Sequence, residues 1–330
     1  MNVERMCIEK PAPPFPLYAD PVGDLLRAHH ADAAERDATA AHLLGVCAAY
    51  AYADTRTVAT LMSRLGLADG ACVRVEQTVD AMFVFSTAYL VQSRCGRVVL
   101  LAYRGTEPTN LASWIGDADV GPEPMPVEGE PLAVHSGFRR NLGATRLGVL
   151  AELHLALEGR SLLDPERTVD HPLDALYVTG HSLGGAMAAL FALSLGPAER
   201  AVAERLRAIY TFGQPLATAV PLPAAAHRVG RRLFRHVLPR DPIPALPLAS
   251  WGRLGHLGQE YRWLDGEWRR SATAVVQIAS ARRLSPSVLA FFLSARRRAA
   301  ARYSLAEHVP HRYLEALRPP GRVTELGDPG

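Results

Sequence analysis

The chain has 330 residues, 48% of them hydrophobic, and a formal net charge of +3 at pH 7. This length and composition allow a sizeable buried core, which excludes an intrinsically disordered chain. The charge is small and the arginines are spread over the whole sequence, so nucleic acid is excluded as an expected partner.

The first third of the sequence predicts helices followed by strands. Residues 1–22 are rich in proline and predict an irregular N-terminal segment. Residues 31–65, rich in alanine and leucine, predict one or two helices. Three segments with β-branched and aromatic residues then predict strands, at 72–75, 81–92 and 97–103.

The rest of the chain alternates predicted strands and helices. Residues 116–132, rich in proline, glycine and acidic residues, predict a surface loop before a helix at 138–157. Strands are predicted at 175–179, 207–212, 233–238 and 259–263, and helices at 186–195, 223–229 and 312–317. Such alternation is typical of a mostly parallel sheet flanked by helices.

The domain organisation follows from the same alternation. No break in composition divides residues 23–330, so we predict one α/β domain with helical additions near both ends. An alanine- and arginine-rich insertion is predicted at about residues 269–303.

The cysteines and the apolar segments indicate where the protein is located. Cys7, Cys47, Cys72 and Cys95 have no metal-ligand spacing, so they predict free thiols and no metal site. The first residues lack the apolar run of a signal peptide, and no stretch reaches the roughly 20 apolar residues of a membrane span. We therefore expect a cytoplasmic protein.

The segment Leu176-Tyr-Val-Thr-Gly-His-Ser-Leu-Gly-Gly185 joins an apolar strand to an alanine-rich helix. In this context Gly-x-Ser-x-Gly is typical of a nucleophile elbow, in which Gly180 and Gly184 stand where a Cβ would not fit. An ordinary glycine-rich connection can carry the same five residues, but the flanking strand and helix favour the elbow. The pattern predicts Ser182 as a nucleophile.

A serine hydroxyl needs an imidazole to take its proton and a carboxylate to orient that imidazole. In elbow-type hydrolases the chain order is serine, acid, histidine. Asp241 follows the strand at 233–238 and opens Asp-Pro-Ile-Pro, although Asp-Pro is also a common turn former. Asp265 is the alternative acid, but Asp265-Gly266 predicts a hairpin turn.

The candidate base is one of three downstream histidines. His256 precedes the final predicted strand and is too early for the usual order. His308 lies at a transition from loop to helix, from which it could reach back to the serine, and it is the predicted base. His311 is the alternative.

Ester hydrolysis also requires donors for the developing oxyanion. The backbone N–H of Leu183, directly after the serine, is the first predicted donor. Tyr103-Arg-Gly-Thr106 follows an apolar strand, and Thr106 could offer both an N–H and a hydroxyl.

Taken together, these residues resemble the fungal-type lipases, the class 3 lipase family. The matching blocks lie between about residues 85 and 317 and are 103–106, 114–117, 134–138, 178–185, 211–215 and 241–244. The resemblance implies an α/β-hydrolase fold and hydrolysis of acyl esters without a metal or organic cofactor. It also implies a triad and an oxyanion hole, formed by Ser182, Asp241 and His308 and by Thr106 and Leu183, and a lid helix at about 107–114.

The sequence departs from the family in several places. The insertion at 269–303 replaces a short connection before the histidine, and Glu307 stands where an aspartate often occurs. Signal peptides and disulfides of the secreted members are not expected, which favours an intracellular branch. Within the insertion, the apolar run 287–293 followed by Arg296-Arg-Arg298 predicts either a membrane-surface segment or a helix packed on the core.

The sequence therefore predicts a lipase-type serine ester hydrolase that cleaves carboxylic esters of acylglycerol-like lipids through an acyl-enzyme. A phospholipase or a short-chain carboxylesterase would use the same triad. A catalytically silent, lipase-like binding module is the non-enzymatic alternative. The expected partner is an acyl-ester or lipid substrate; peripheral contact with a membrane or lipid surface and the oligomeric state stay open.

Overall fold

A computed structural model describes residues 1–29, 35–79, 84–105, 121–247, 252–278 and 304–328. The strands in these ranges are β1 (Asn2–Cys7), β2 (Ala71–Val79), β3 (Val84–Gln92), β4 (Val98–Tyr103), β5 (Pro122–Val127), β6 (Glu130–His135), β7 (Ala175–His181), β8 (Leu206–Phe212), β9 (Thr218–Ala219), β10 (Leu233–Val237), β11 (Leu254–Gly255), β12 (Gln259–Leu264) and β13 (Glu267–Arg270).

The α-helices are α1 (Pro21–Ala28), α2 (Ala38–Tyr50), α3 (Thr55–Met62), α4 (Ser136–Leu157), α5 (Leu183–Leu193), α6 (Arg200–Arg205), α7 (Ala224–Gly230) and α8 (Pro310–Leu317). A π-helical turn follows α3, and short 3₁₀ turns lie at Pro197–Glu199, Ile243–Ala245 and Leu305–Glu307.

Aspartate caps determine where α2 and α3 begin. Asp37 accepts the N–H of Ala40, and Asp54 accepts the N–H of Thr57, each at 2.7 Å. Such caps satisfy backbone donors that have no partner inside the helix. The predicted helical stretch at 31–65 is thus two helices, because the second cap starts a new one.

Within the described residues, the larger sheet has nine strands in the order β1-β2-β3-β4-β7-β8-β10-β12-β13. Strands β4, β7, β8, β10 and β12 pair in parallel, whereas β1 to β4 and the pair β12–β13 are antiparallel. The predicted α/β class is confirmed, with a sheet that is parallel at its centre and antiparallel towards both edges. The loops that follow the parallel strands meet at one edge.

Helices cover both faces of this sheet. Helices α4 and α5 pack on one face together with a small sheet, β11-β9-β6-β5, and α2, α3 and α8 pack on the other. All of the residues of α5 are buried, so this helix is part of the core on every side. Its N-terminus is thereby held at the end of β7.

No single helix in the described ranges is long and apolar enough to cross a bilayer. Only α5 taken together with residues 197–205 reaches that length and composition, across a bend of 92°.

Two segments differ from the sequence prediction. Residues 2–7 form β1, which pairs with β2 at the sheet edge, so the irregular segment predicted for 1–22 is wrong there. Most of β1 is exposed, and an exposed edge strand does not need the apolar alternation that identifies a strand in sequence.

The second difference is the hairpin β5–β6, where the sequence predicts a surface loop at 116–132. Three prolines stand at alternate positions of β5, Pro122, Pro124 and Pro126. Proline cannot donate to a ladder, so it is tolerated only at an edge. Strand β5 is the edge of the small sheet, which explains why a proline-rich segment still forms a strand.

A buried ion pair joins two strands of the parallel region. Arg235 Nη2 on β10 lies 3.0 Å from Glu260 Oε2 on β12, and the side chain of each is 1% exposed. The same carboxylate accepts a hydrogen bond from Arg262 Nε at 2.6 Å and one from the N–H of Val275 at 2.9 Å. Glu260 thus anchors the chain that leaves β13.

Replacing Glu260 by alanine should lower the free energy of unfolding by about 3–5 kcal/mol, because a buried guanidinium loses its counter-charge. Chemical denaturation measures the change. Glu204→Ala is the control, since Glu204 pairs with Arg200 on the exposed surface of α6 and should cost no more than about 1 kcal/mol. Equal losses in the two variants would contradict the structural role of Glu260.

Candidate active site

Ser182 lies in the turn between β7 and α5. Its φ is +57° and its ψ is −129°, a region that residues with a side chain rarely adopt. Its N–H donates to the carbonyl oxygen of Phe212, and its own carbonyl oxygen accepts the N–H of Gly185, both at 2.9 Å. The turn therefore holds the serine at the start of the helix, at the edge where the parallel strands end.

Two glycines make this turn possible. A Cβ on Gly180 would lie 2.2 Å from the carbonyl group of Gly184, and a Cβ on Gly184 would lie 2.1 Å from the carbonyl oxygen of Tyr103. In both cases the obstacle is backbone, which cannot move aside as a flexible side chain can. The glycines are needed because α5 begins in direct contact with the ends of β7 and β4.

Ser182, His308 and Asp241 lie within hydrogen-bond distance of one another. Ser182 Oγ is 2.8 Å from His308 Nε2, and His308 Nδ1 is 2.8 Å from Asp241 Oδ2. A carboxylate can only accept, so Nδ1 carries the proton and Nε2 is free to accept the serine hydroxyl. All three residues are buried. The structure thus brings together the three residues that the sequence predicts as a triad.

The Asp241 carboxylate accepts two further hydrogen bonds. Oδ1 accepts the N–H of Ile243 at 2.8 Å, and Oδ2 accepts the hydroxyl of Tyr313 at 2.5 Å. Burial, and then the charge of Asp241, raise the pKa of Tyr313 well above its ordinary value. The hydroxyl therefore keeps the proton that it donates. No sequence motif marks Tyr313 as a site residue.

Gly213 packs directly against Asp241 and His308. Its φ is +59°, and a Cβ there would lie 2.8 Å from Asp241 Oδ2 and 2.9 Å from His308 Nδ1. The position thus needs glycine both for its backbone conformation and for space. The only sign of this position in the sequence is a glycine that directly follows a predicted strand, inside the block 211–215.

His181 contacts the backbone of His308, and Tyr52 in turn contacts His181. His181 Nε2 is 2.6 Å from the carbonyl oxygen of His308, and the hydroxyl of Tyr52 is 2.9 Å from His181 Nδ1. Burial, and then the neighbouring His308, hold the pKa of His181 well below its ordinary value. His181 is therefore neutral at neutral pH.

One predicted oxyanion donor lies among the described residues. Leu183 is the first residue of α5, so its N–H has no acceptor within the helix. An N–H at this position is available to a developing negative charge beside the nucleophile. Thr106 and the predicted lid at 107–114 lie outside the described residues. The chain just before them is close to the elbow, because a Cβ on Gly105 would lie 2.6 Å from the carbonyl oxygen of His181.

The insertion starts and ends beside the loop that carries the candidate acid. At its start, the N–H of Ile278 donates to the carbonyl oxygen of Ala245 at 3.1 Å. At its end, the N–H of Ser304 donates to the carbonyl oxygen of Arg240 at 2.8 Å. The residues between, 279–303, lie outside the described ranges, and so does the predicted apolar and arginine-rich run.

The alternative residues lie elsewhere. His256 is bonded through Nε2 to the carbonyl oxygen of Pro244 at 2.7 Å, and His311 is exposed on α8. Asp265 forms the turn between β12 and β13, with an exposed side chain. In the described part of the chain, no group of three or more histidine, cysteine, aspartate or glutamate side chains is placed to hold a metal ion.

Part of the chain matches a known family. Residues 100–251, just under half of the chain, match the family model described as Lipase (class 3). The matched region contains Ser182 and Asp241 and ends before His308.

Curated relatives of this chain include a lipase of Rhizomucor miehei, 31% identical over 198 residues, which are 58% of this chain and 48% of the relative. Triacylglycerol lipase OBL1 of Arabidopsis thaliana is 28% identical over 201 residues, or 52% of this chain and 38% of the relative. The chain thus spans about half, or less, of the length of these curated relatives.

Solved structures include the Rhizomucor miehei lipase propeptide complex, with a TM-score of 0.52 and 24% sequence identity. The likeness covers 72% of this chain and 73% of the other. It confirms the α/β-hydrolase fold for this chain.

Gly213→Ala should slow the labelling of Ser182 by a fluorophosphonate about 10- to 100-fold, because the new Cβ displaces the acid and histidine from their positions. Gly266→Ala is the matched control. It imposes a similar positive φ of +81° on an alanine, but no atom lies within 4 Å of its Cβ. Equal labelling rates in the two variants would show that the close contact at Gly213 is irrelevant to reactivity.

Tyr313→Phe should slow the same labelling about 10-fold, the expected cost of one hydrogen bond to a charged group. Tyr89→Phe serves as the control, since the buried hydroxyl of Tyr89 donates to the carbonyl oxygen of Ala53 at 2.6 Å, outside the candidate site. Both variants should lose stability in thermal unfolding. The assignment fails if Tyr313→Phe labels as fast as Tyr89→Phe.

Proposed function

We propose that this chain is a class 3 lipase, a serine ester hydrolase that cleaves carboxylic esters of lipids through an acyl-enzyme. The observation that carries the proposal is the hydrogen-bonded line from Ser182 Oγ through His308 to Asp241, at 2.8 Å in each step. The positive φ of Ser182 at the start of a helix supports the same assignment. A module that only binds a partner would need none of these features.

In the first half of the reaction, Ser182 attacks the ester carbonyl carbon while His308 Nε2 takes the hydroxyl proton. As negative charge develops on the carbonyl oxygen, that oxygen accepts hydrogen bonds from the N–H of Leu183 and, as the sequence predicts, from Thr106. Collapse of this tetrahedral species breaks the ester bond. His308 returns its proton to the departing alcohol, and the acyl group stays on Ser182.

In the second half, His308 takes a proton from water, which attacks the acyl-enzyme. The acid leaves and Ser182 recovers its proton from His308. In both halves the imidazole is transiently positive, and the Asp241 carboxylate stabilises that charge while it fixes the proton on Nδ1. Tyr313 and the N–H of Ile243 hold the carboxylate in place.

Acylglycerol-like esters are the proposed substrates. The support is the family and the named relatives, which are a lipase and a triacylglycerol lipase. A phospholipase or a short-chain carboxylesterase would use the same triad, so the acyl and headgroup preference must come from experiment.

Contact with a lipid surface belongs to the proposal. Its support is the apolar run 287–293, which is followed closely by Arg296-Arg-Arg298, a composition suited to anionic lipid. A cytoplasmic location also stays a prediction, supported by the free state of the cysteines.

Ser182→Ala should lower kcat by about 10³-fold or more for p-nitrophenyl esters, because no other nucleophile occupies the position. A series of esters with acyl chains from two to sixteen carbons tests the activity and its length preference together. Activity that rises with chain length identifies a lipase, and activity confined to the shortest esters identifies a carboxylesterase.

Ser194→Ala is the matched control, since Ser194 lies at the far end of the same helix and its hydroxyl donates to the carbonyl oxygen of Phe191. It should keep wild-type kcat. A folded wild type that hydrolyses none of the esters, or a Ser182→Ala variant with more than a trace of activity, would refute the proposed mechanism.

A further inference from the structure

The residue directly before the nucleophile, His181, contacts the catalytic machinery through the backbone of His308. His181 Nε2 lies 2.6 Å from the carbonyl oxygen of His308. The centroids of the two imidazole rings are 4.5 Å apart. His181 is only 3% exposed, so water does not compete for this hydrogen bond.

The partners of His181 determine its protonation. A carbonyl oxygen can only accept, so His181 Nε2 must carry a proton and donate it. The other ring nitrogen, Nδ1, faces the hydroxyl of Tyr52 at 2.9 Å, which can donate. The two contacts together select the neutral tautomer with the proton on Nε2, in agreement with the lowered pKa of the ring.

The backbone of His308 needs such a contact in this chain. Residues 304–308 are reached only after the long insertion, so no short connection from β12 fixes them. Before His308 the loop is held by Ser304, whose N–H donates to the carbonyl oxygen of Arg240. At His308 itself, the carbonyl group is held by His181, which β7 and the elbow keep in place.

We propose that His181 is a positioning residue for ester hydrolysis, which donates its Nε2 proton to the carbonyl oxygen of His308 and so fixes the base on the nucleophile elbow. The inference rests on the proposed function, since it gives His181 a role in that reaction. His181 touches neither substrate nor the reacting atoms and acts only through His308.

The neutral state of His181 matters for the same reaction. His308 becomes an imidazolium in the transition state, and a second positive ring at this distance would oppose that charge. The titratable groups among the described ring contacts of His181 are Tyr52, Tyr313 and His308. Burial raises the pKa of Tyr313 well above its ordinary value, so this hydroxyl adds no charge near pH 7. Among the described contacts of His308, the charge that lies against the base is that of Asp241.

The test compares three substitutions of His181. Glutamine carries an amide N–H₂ at about the reach of Nε2, whereas asparagine is one bond too short and leucine has no donor. In hydrolysis of a soluble p-nitrophenyl ester, we expect His181→Gln to keep kcat within about threefold of wild type. His181→Asn and His181→Leu should lose about 10- to 100-fold in kcat with KM unchanged.

A further readout separates positioning from a loss of folded protein. A displaced His308 loses part of its contact with Asp241. The low-field proton resonance of His308 Nδ1–H should therefore change in His181→Asn and His181→Leu, but not in His181→Gln. Together with kcat, this resonance gives two readouts, and a smaller folded fraction would scale kcat without moving the resonance.

The proposal is overturned if the asparagine variant keeps the wild-type kcat and the wild-type low-field resonance. It is also overturned if all three variants lose activity only in proportion to their folded fraction. Should the leucine variant not fold, the comparison of asparagine with glutamine decides the matter. A wild-type protein without ester turnover would refute the proposed function. The low-field resonance would still test the contact between His181 and His308.

Discussion

The start of α5 is pressed against the ends of β7 and β4 so closely that neither Gly180 nor Gly184 could carry a side chain. This contact forces Ser182 into a backbone conformation that is costly for a residue with a Cβ. The cost is tolerated because α5 is buried on all sides and cannot move away from the sheet. The position of Ser182 is therefore set by packing of the core.

The residues that lie around Ser182 come from distant parts of the chain. His308 is 126 residues from Ser182 and 67 from Asp241, and closing such loops costs conformational entropy. Buried hydrogen bonds offset this entropic cost. Tyr313 donates to the carboxylate of Asp241, and His181 donates to the backbone carbonyl oxygen of His308. Both donors are kept in the right protonation state by burial, which raises the pKa of the tyrosine and lowers that of the histidine.

The residues that the sequence could predict have local signals. Ser182 and Asp241 each follow an apolar strand, and glycine or proline beside them fixes the turn. Chain order excludes His256, and the position of His308 at a transition from loop to helix favours it over His311. Tyr313 has no such signal, since its contact with Asp241 joins residues 72 positions apart. The edge strands β1 and β5 escaped prediction for a related reason: exposure and proline remove the apolar alternation on which strand prediction depends.

The prolines of β5 have a consequence for self-association. Pro126 faces Pro131 of β6 in the ladder, and since neither has an N–H, that pair cannot be a hydrogen-bonded one. The backbone groups of Pro126 and of the other two prolines, Pro122 and Pro124, therefore point away from β6 and towards the outer edge of the sheet. Within the described residues β5 is the outer strand of the small sheet, and this edge thus lacks most of its donors. A strand from another molecule could not form a full ladder along it. The edge is protected from the amyloid-like stacking to which open sheets are prone.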